Sequence, residues 1–172
     1  MDIGMLALRL FHVGLGVFWA GTMLFFVTLL EPSIREAGPA GGKVMQALMR
    51  RGYLNIMPAV ALLTVLSGID LLRRVSGGFS SAWIGSPTGT AILTGTTTGI
   101  LALLIGVTVM RPTAIRVASL MAAMGQGQPS PEQERLAAEA DGLRRRITTA
   151  GRVIGVLLTI SVVTMAVARY LK

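Results

Sequence analysis

The chain offers few groups capable of chemistry. It has one histidine, His12, no cysteine and ten methionines in 172 residues. Without cysteine, neither disulfides nor thiolate metal sites can form. A lone imidazole can still serve as a haem axial ligand or a proton shuttle, with a carboxylate such as Asp70 orienting it. Two-histidine haem ligation within one chain is excluded. Six methionines, Met45, Met49, Met57, Met110, Met121 and Met124, fall on or near one side of the apolar runs. Thioethers select Cu(I), and they equally fill irregular gaps in apolar cores. Thr94, Thr96, Thr97 and Thr98 read as interhelical hydrogen-bonding groups rather than nucleophiles, since no base other than His12 or Asp70 is near. Phosphate-loop, nucleophile-elbow and metalloprotease patterns are absent, and no catalytic residue is assigned.

The elements that must position these groups follow from the placement of charge. Hydrophobic residues make up 52% of the chain and charged residues 14%, against about 25% charged in a soluble domain. No Asp, Glu, Lys or Arg occurs from Leu10 to Leu30, Gly52 to Ile69, Val75 to Met110 or Val153 to Ala168, and these runs cover 91 residues. A bilayer crossing needs about 20 apolar residues. Four spans are therefore predicted, at about 7–30, 53–72, 89–110 and 150–170, in a single domain over 1–172. The first is too long for a cleaved signal, whose apolar region is about 7–15 residues. It is expected to close at Glu31-Pro32, because proline disfavours helix in the residue before it. The fourth relies on Arg152 and Arg169 snorkelling to the interfaces. The fold class is all-α: a polytopic four-helix membrane bundle. A soluble enzyme on an anchor, a nucleic-acid domain and a disulfide scaffold are all excluded.

The net charge of +8 then reads as topology, with anionic headgroups as its partner. Four spans put both termini and the 73–88 loop on one side. Segments 31–52 and 111–149 lie on the other, and with Arg152 at the start of the fourth span that side holds eleven Lys and Arg against five. The positive-inside rule places those segments in the cytoplasm and both termini outside. In the second segment, Ser130-Pro131-Glu132-Gln133 has the form of a capped helix start. Leu136, Leu143 and Ile147 follow at helical spacing, and Arg144–Arg146 suit a helix end. Segment 111–149 is thus expected as a helical hairpin continuing the third and fourth spans, with Gly125-Gln126-Gly127-Gln128-Pro129 at its tip. Small residues for close helix approach occur at Gly16, Ala20, Ala91, Gly95, Gly99, Gly151 and Gly155.

Depth brings the polar residues together. His12 lies about 12 Å outward from the centre of the first span, and Asp70 about 10 Å outward in the second, at 1.5 Å per residue. Thr94, Thr97 and Thr164 fall at or just below that level. Ionisable groups in a bilayer are functional hypotheses by default, so a ligand pocket is expected near the outer face, built from His12, Gly16, Trp19, Asp70, Thr94 and Thr97. Gly16 would leave a gap beside the ring and Trp19 would wall it. The alternative from the same residues is a hydrogen-bond network of His12, Arg9 and Asp70 that fixes helix register.

The stretch from His12 to Gly21 reads H-x6-W-x-G, with Pro32 thirteen residues after Trp19. Over roughly its first 110 residues the chain resembles a loose group of small bacterial membrane proteins. This group comprises copper-resistance D domains, uncharacterised four-helix proteins and the flavin-independent membrane protoporphyrinogen oxidase. The resemblance implies a four-helix fold and makes His12 the counterpart of a haem-associated histidine. Three functional expectations stand open: a small-ligand or haem b protein of the bacterial inner membrane, a structural or accessory subunit of a larger membrane complex or homo-oligomer, and a Cu(I)-handling protein.

Overall fold

The computed structural model describes residues 2–124 and 130–171; the expected hairpin tip lies outside them. Among the described residues every regular element is helical. The four principal helices are α1 (Ile3–Glu36), α3 (Tyr53–Val75), α5 (Pro87–Met124) and α6 (Pro131–Tyr170), each long and apolar enough to cross a membrane. Two shorter helices connect them, α2 (Pro39–Arg50) and α4 (Ser81–Ile84). The protein is a multi-pass membrane protein built as a four-helix bundle. Helix α1 packs on α3 and α6, while α5 packs on α6 and α3.

The helix starts follow from capping chemistry. Asp2 accepts from the backbone N–H groups of Gly4 and Met5 at 2.9 and 3.2 Å. Ser86 accepts from Gly89 N–H at 3.0 Å, and Ser130 from Gln133 N–H at 3.3 Å. The Gln133 side chain does not return to its cap. It donates to Met124 O at 3.3 Å and so ties the two arms of the hairpin.

Glu31-Pro32 does not end the first helix. α1 continues to Glu36 after widening into a π-turn over Phe26–Leu30. A proline ring collides with the carbonyl four residues back and leaves it without a donor, and a wider turn relieves both problems. α5 repeats the device, with a π-turn over Gly106–Met110 ahead of Arg111-Pro112. The two segments correspond residue for residue at an offset of 80. Thr28 and Thr108 donate to Leu24 O and Leu104 O at 2.6 and 2.7 Å, and Ser33 and Thr113 to Leu29 O and Val109 O at 2.7 and 2.6 Å. The residue before each proline then reaches a neighbouring helix. Glu31 accepts from Thr148 Oγ1 of α6 at 3.1 Å. Arg111 donates to Leu54 O and Asn55 Oδ1 of α3 at 3.3 and 3.2 Å. Leu54 O is the carbonyl that Pro58, inside α3, deprives of its helical partner, so Arg111 satisfies it.

The core is one cluster: Trp19, Ala20 and Met23 of α1, Ala61 of α3, Ala102 of α5, and Ile154 and Leu158 of α6. Alanines on α3 and α5 make room for the indole of Trp19, a large–small fit that fills the bundle axis. Outward faces are equally apolar, with Leu10, Val13, Val17, Phe25, Leu66 and Val156 all exposed, as lipid-facing helices must be.

α5 and α6 continue past the apolar spans as a two-helix hairpin. Arg116 meets Glu139 at 2.9 Å across it, and Arg144 donates to Met121 Sδ. Thr113, Leu120 and Ala140 are buried between the arms. α6 is unbroken through Arg144–Arg146, so these arginines do not sit at a helix terminus and the dipole rationale for their position falls away.

Candidate functional site

His12 projects from α1 on the face that also carries Gly16, Trp19 and Met23. Trp19 and Met23 enter the core, and His12 meets α3 one to two turns further out. Its Nδ1 lies 2.9 Å from Thr64 O and 3.3 Å from Ser67 Oγ. A carbonyl oxygen only accepts, so Nδ1 carries the proton and donates. The Ser67 hydroxyl donates its own proton to Leu63 O at 2.7 Å or Thr64 O at 3.0 Å, leaving a lone pair for the same imidazole N–H. The ring is thereby held in the Nδ1–H tautomer, with the Nε2 lone pair unused by any hydrogen bond among the described residues.

Close approach makes this possible. A Cβ on Gly68 would lie 2.7 Å from His12 Cε1 and 3.2 Å from Nδ1, and one on Gly16 would lie 3.6 Å from Thr64 Cγ2. The gap expected beside the ring is therefore made by Gly68 of the opposing helix. Gly16 instead admits the Thr64 methyl. Thr64 and Ser67 are buried, and every buried side-chain N or O among the described residues has a partner.

Asp70 does not orient His12. Its carboxylate is held by Arg73 at 3.1 Å and Arg74 at 3.0 Å on its own helix, and its side chain remains one-third exposed. Cations three and four residues along a helix reach a carboxylate with no tertiary rearrangement, and both lie toward the C-terminal end of α3. Arg9 likewise takes no part in the His12 contacts.

Thr94 and Thr97 are exposed on α5. With Thr90, Thr98, Leu93 and Ile84 they line a shallow groove of about 490 Å³. Thr94 donates to Thr90 O at 2.9 Å on its own helix. The polar residues expected to form one site thus divide between two helix pairs. The second pair, α5–α6, is joined by buried Ser161, whose hydroxyl donates to Gly95 O at 2.8 Å. Cβ atoms on Gly95 and Gly99 would touch Thr164 and Ser161 there.

Thr64, Ser67, Gly68 and Ser161 escape a search for titratable groups. The pattern that could have found them is a small or hydroxyl residue at the depth of a polar residue on the neighbouring helix.

Among the described residues no group of three His, Cys, Asp or Glu side chains could hold a metal ion. Two methionine sulfurs accept hydrogen bonds: Met23 Sδ from Tyr53 O–H at 3.9 Å, and Met121 Sδ, one of the six, from Arg144. For haem b, the donor chemistry is present at Nε2. The edge of the ring is packed toward Gly68 of α3, where an added Cβ would lie 2.7 Å from Cε1, and His12 does not line the groove of Thr94 and Thr97.

Comparison with family models, curated proteins and solved structures finds no match to this chain.

Proposed function

We propose that this chain is a non-catalytic subunit of a bacterial inner membrane, a packed anchor that holds a helical hairpin in the cytoplasm for assembly with other proteins. One observation carries the reading. α5 and α6 are 38 and 40 residues long, about 57–60 Å at 1.5 Å per residue, against a hydrocarbon core of about 30 Å. Roughly half of each helix therefore projects beyond the bilayer as a hairpin with its own buried contacts and a cross-arm ion pair. The orientation rests on the eleven-to-five distribution of Lys and Arg: segments 31–52 and 111–149 in the cytoplasm, both termini outside. The polar groups of the spans support a scaffold, because His12, Ser67 and Ser161 all join helices.

The test is purification from native membranes in mild detergent after charge reversal on the exposed hairpin surface, Arg135→Glu with Arg145→Glu. A stoichiometric membrane partner, retained by the unaltered chain and lost from the inserted, folded variant, is expected. A chain that purifies alone and monodisperse contradicts the reading. A reporter fused after Lys172 is expected to be active only outside the cytoplasm.

A second reading is favoured by His12 itself. The hydrogen bond at Nδ1 leaves Nε2 as a donor for a ligand or a haem b, which the resemblance to the protoporphyrinogen-oxidase group also implies. Such a group would be held at the edge of the bundle, with His12 as the axial donor and Thr64 and Ser67 orienting the ring. Absorption spectra of oxidised and reduced protein, beside His12→Ala, test this: a Soret band lost in the variant supports it. Cu(I) handling has no specific contact in its favour.

A further inference from the structure

We propose that the inner half of the α1–α3 surface is a binding site for one anionic phospholipid, its acyl chain in an aromatic groove and its phosphate on Arg51. The groove, about 270 Å³, is lined by Phe18, Phe25, Tyr53 and Ile56 among others, and Arg51 closes one end. Phe18, Phe25 and Ile56 are each about half exposed, at 50%, 53% and 47%, on a face that meets lipid. From Phe18, near the middle of the first span, to Leu30 the groove follows α1 for about 18 Å at the helical rise, the reach of an extended acyl chain.

The charge at its mouth selects the headgroup. Arg51 ends the connection between α2 and α3, where Gly52 at φ 83 turns the chain into α3. The five ion pairs among the described residues include neither Arg50 nor Arg51, so two positive charges stand together at the level where the spans meet the headgroups. A guanidinium presents paired N–H donors that match a phosphate in bidentate fashion. Each such charge favours an anionic over a neutral headgroup about fivefold. By contrast Arg73 and Arg74, at the opposite end of α3, are already engaged by Asp70. The site does not depend on the subunit reading, because it requires only the spans.

The experiment is native mass spectrometry of the full chain in mild detergent, titrated with phosphatidylglycerol or phosphatidylcholine. One phosphatidylglycerol is expected to be retained per chain, at least fivefold in preference to phosphatidylcholine. Arg51→Gln should abolish that preference and Arg73→Gln should keep it. Ile56→Trp, which fills the groove from its exposed side and leaves Arg51 intact, should lose the bound lipid; this variant decides the matter if Arg51→Gln does not fold. Equal retention of the two lipids, or unchanged retention in both groove variants, overturns the proposal. So does quantitative disulfide dimerisation of a Phe25→Cys variant in membranes, which would show that a second copy covers the groove. Free inorganic phosphate displacing the lipid at millimolar concentration would likewise overturn it, since the acyl chain would then contribute nothing.

Discussion

The α1–α3 and α5–α6 interfaces solve one problem with different side chains. Both bring antiparallel helices close through glycine, and both add one interhelical hydrogen bond to a backbone carbonyl: His12 to Thr64 O at 2.9 Å and Ser161 to Gly95 O at 2.8 Å. At α5–α6 the donor is a small hydroxyl, Ser161, that reaches Gly95 O directly. At α1–α3 it is a ring that spans the gap and requires a glycine beneath it. A hydroxyl suffices for the bond, so the imidazole adds something a hydroxyl lacks: a rigid spacer with a second nitrogen. The same ring also carries a nitrogen, Nε2, that no hydrogen bond occupies among the described residues. The two readings of His12 are therefore compatible in geometry and distinct in test.

This contrast can be broken by substitution. Gly68→Ala should be the most damaging single change. A Cβ 2.7 Å from a ring held on both sides costs about 1–3 kcal/mol by overpacking, of which better helix propensity returns up to about 1; thermal unfolding in detergent reads it. His12→Ala should cost about 1–2 kcal/mol through a lost bond and a void, and Gly68→Ala should become close to neutral in that background. Additive costs would show that ring and glycine do not meet. Gly95→Ala should cost about 1 kcal/mol: it meets Met165 Cγ at 2.8 Å and Cε at 3.1 Å, in an unbranched side chain that can move aside, and Thr164 Oγ1 at 2.8 Å. Ser161→Ala should cost about 0.6 kcal/mol, the average for a membrane interhelical hydrogen bond. Asp70→Asn should leave both unfolding and the His12 ring resonances unchanged, because its partners are Arg73 and Arg74 of its own helix.

The sequence carried much of this and concealed the rest for physical reasons. Charge-free runs locate the spans because unpaired charge in lipid is expensive, and the continuation of α5 and α6 into a hairpin follows from Ser130-Pro131 and the helical spacing beyond it. Depth set His12 against this stretch of α3, and its ring lies beside Gly68, two residues before Asp70. Depth along an axis does not determine rotation about it, and rotation sent Asp70 to its own arginines and Thr94 and Thr97 to an exposed groove. Pro32 misleads as a helix end because a π-turn absorbs it. The signal was available in the matching Val27-Thr28 and Val107-Thr108 runs, each four residues from Thr to Pro. Pro58 likewise gives no hint that Arg111, 53 positions later, satisfies the carbonyl it exposes.

The central claim is that His12 is held by α3 through Nδ1, with Nε2 left open. Because the chain has a single histidine, selective ¹⁵N labelling gives one pair of ring resonances that needs no assignment by mutation. In lipid vesicles at neutral pH, the account predicts a neutral ring with a protonated, slowly exchanging Nδ1 and an unprotonated Nε2, and this pattern should collapse to averaged tautomers in Ser67→Ala with Gly68→Ala. A ring protonated at Nε2, or one averaging freely between tautomers in the unaltered protein, would contradict it.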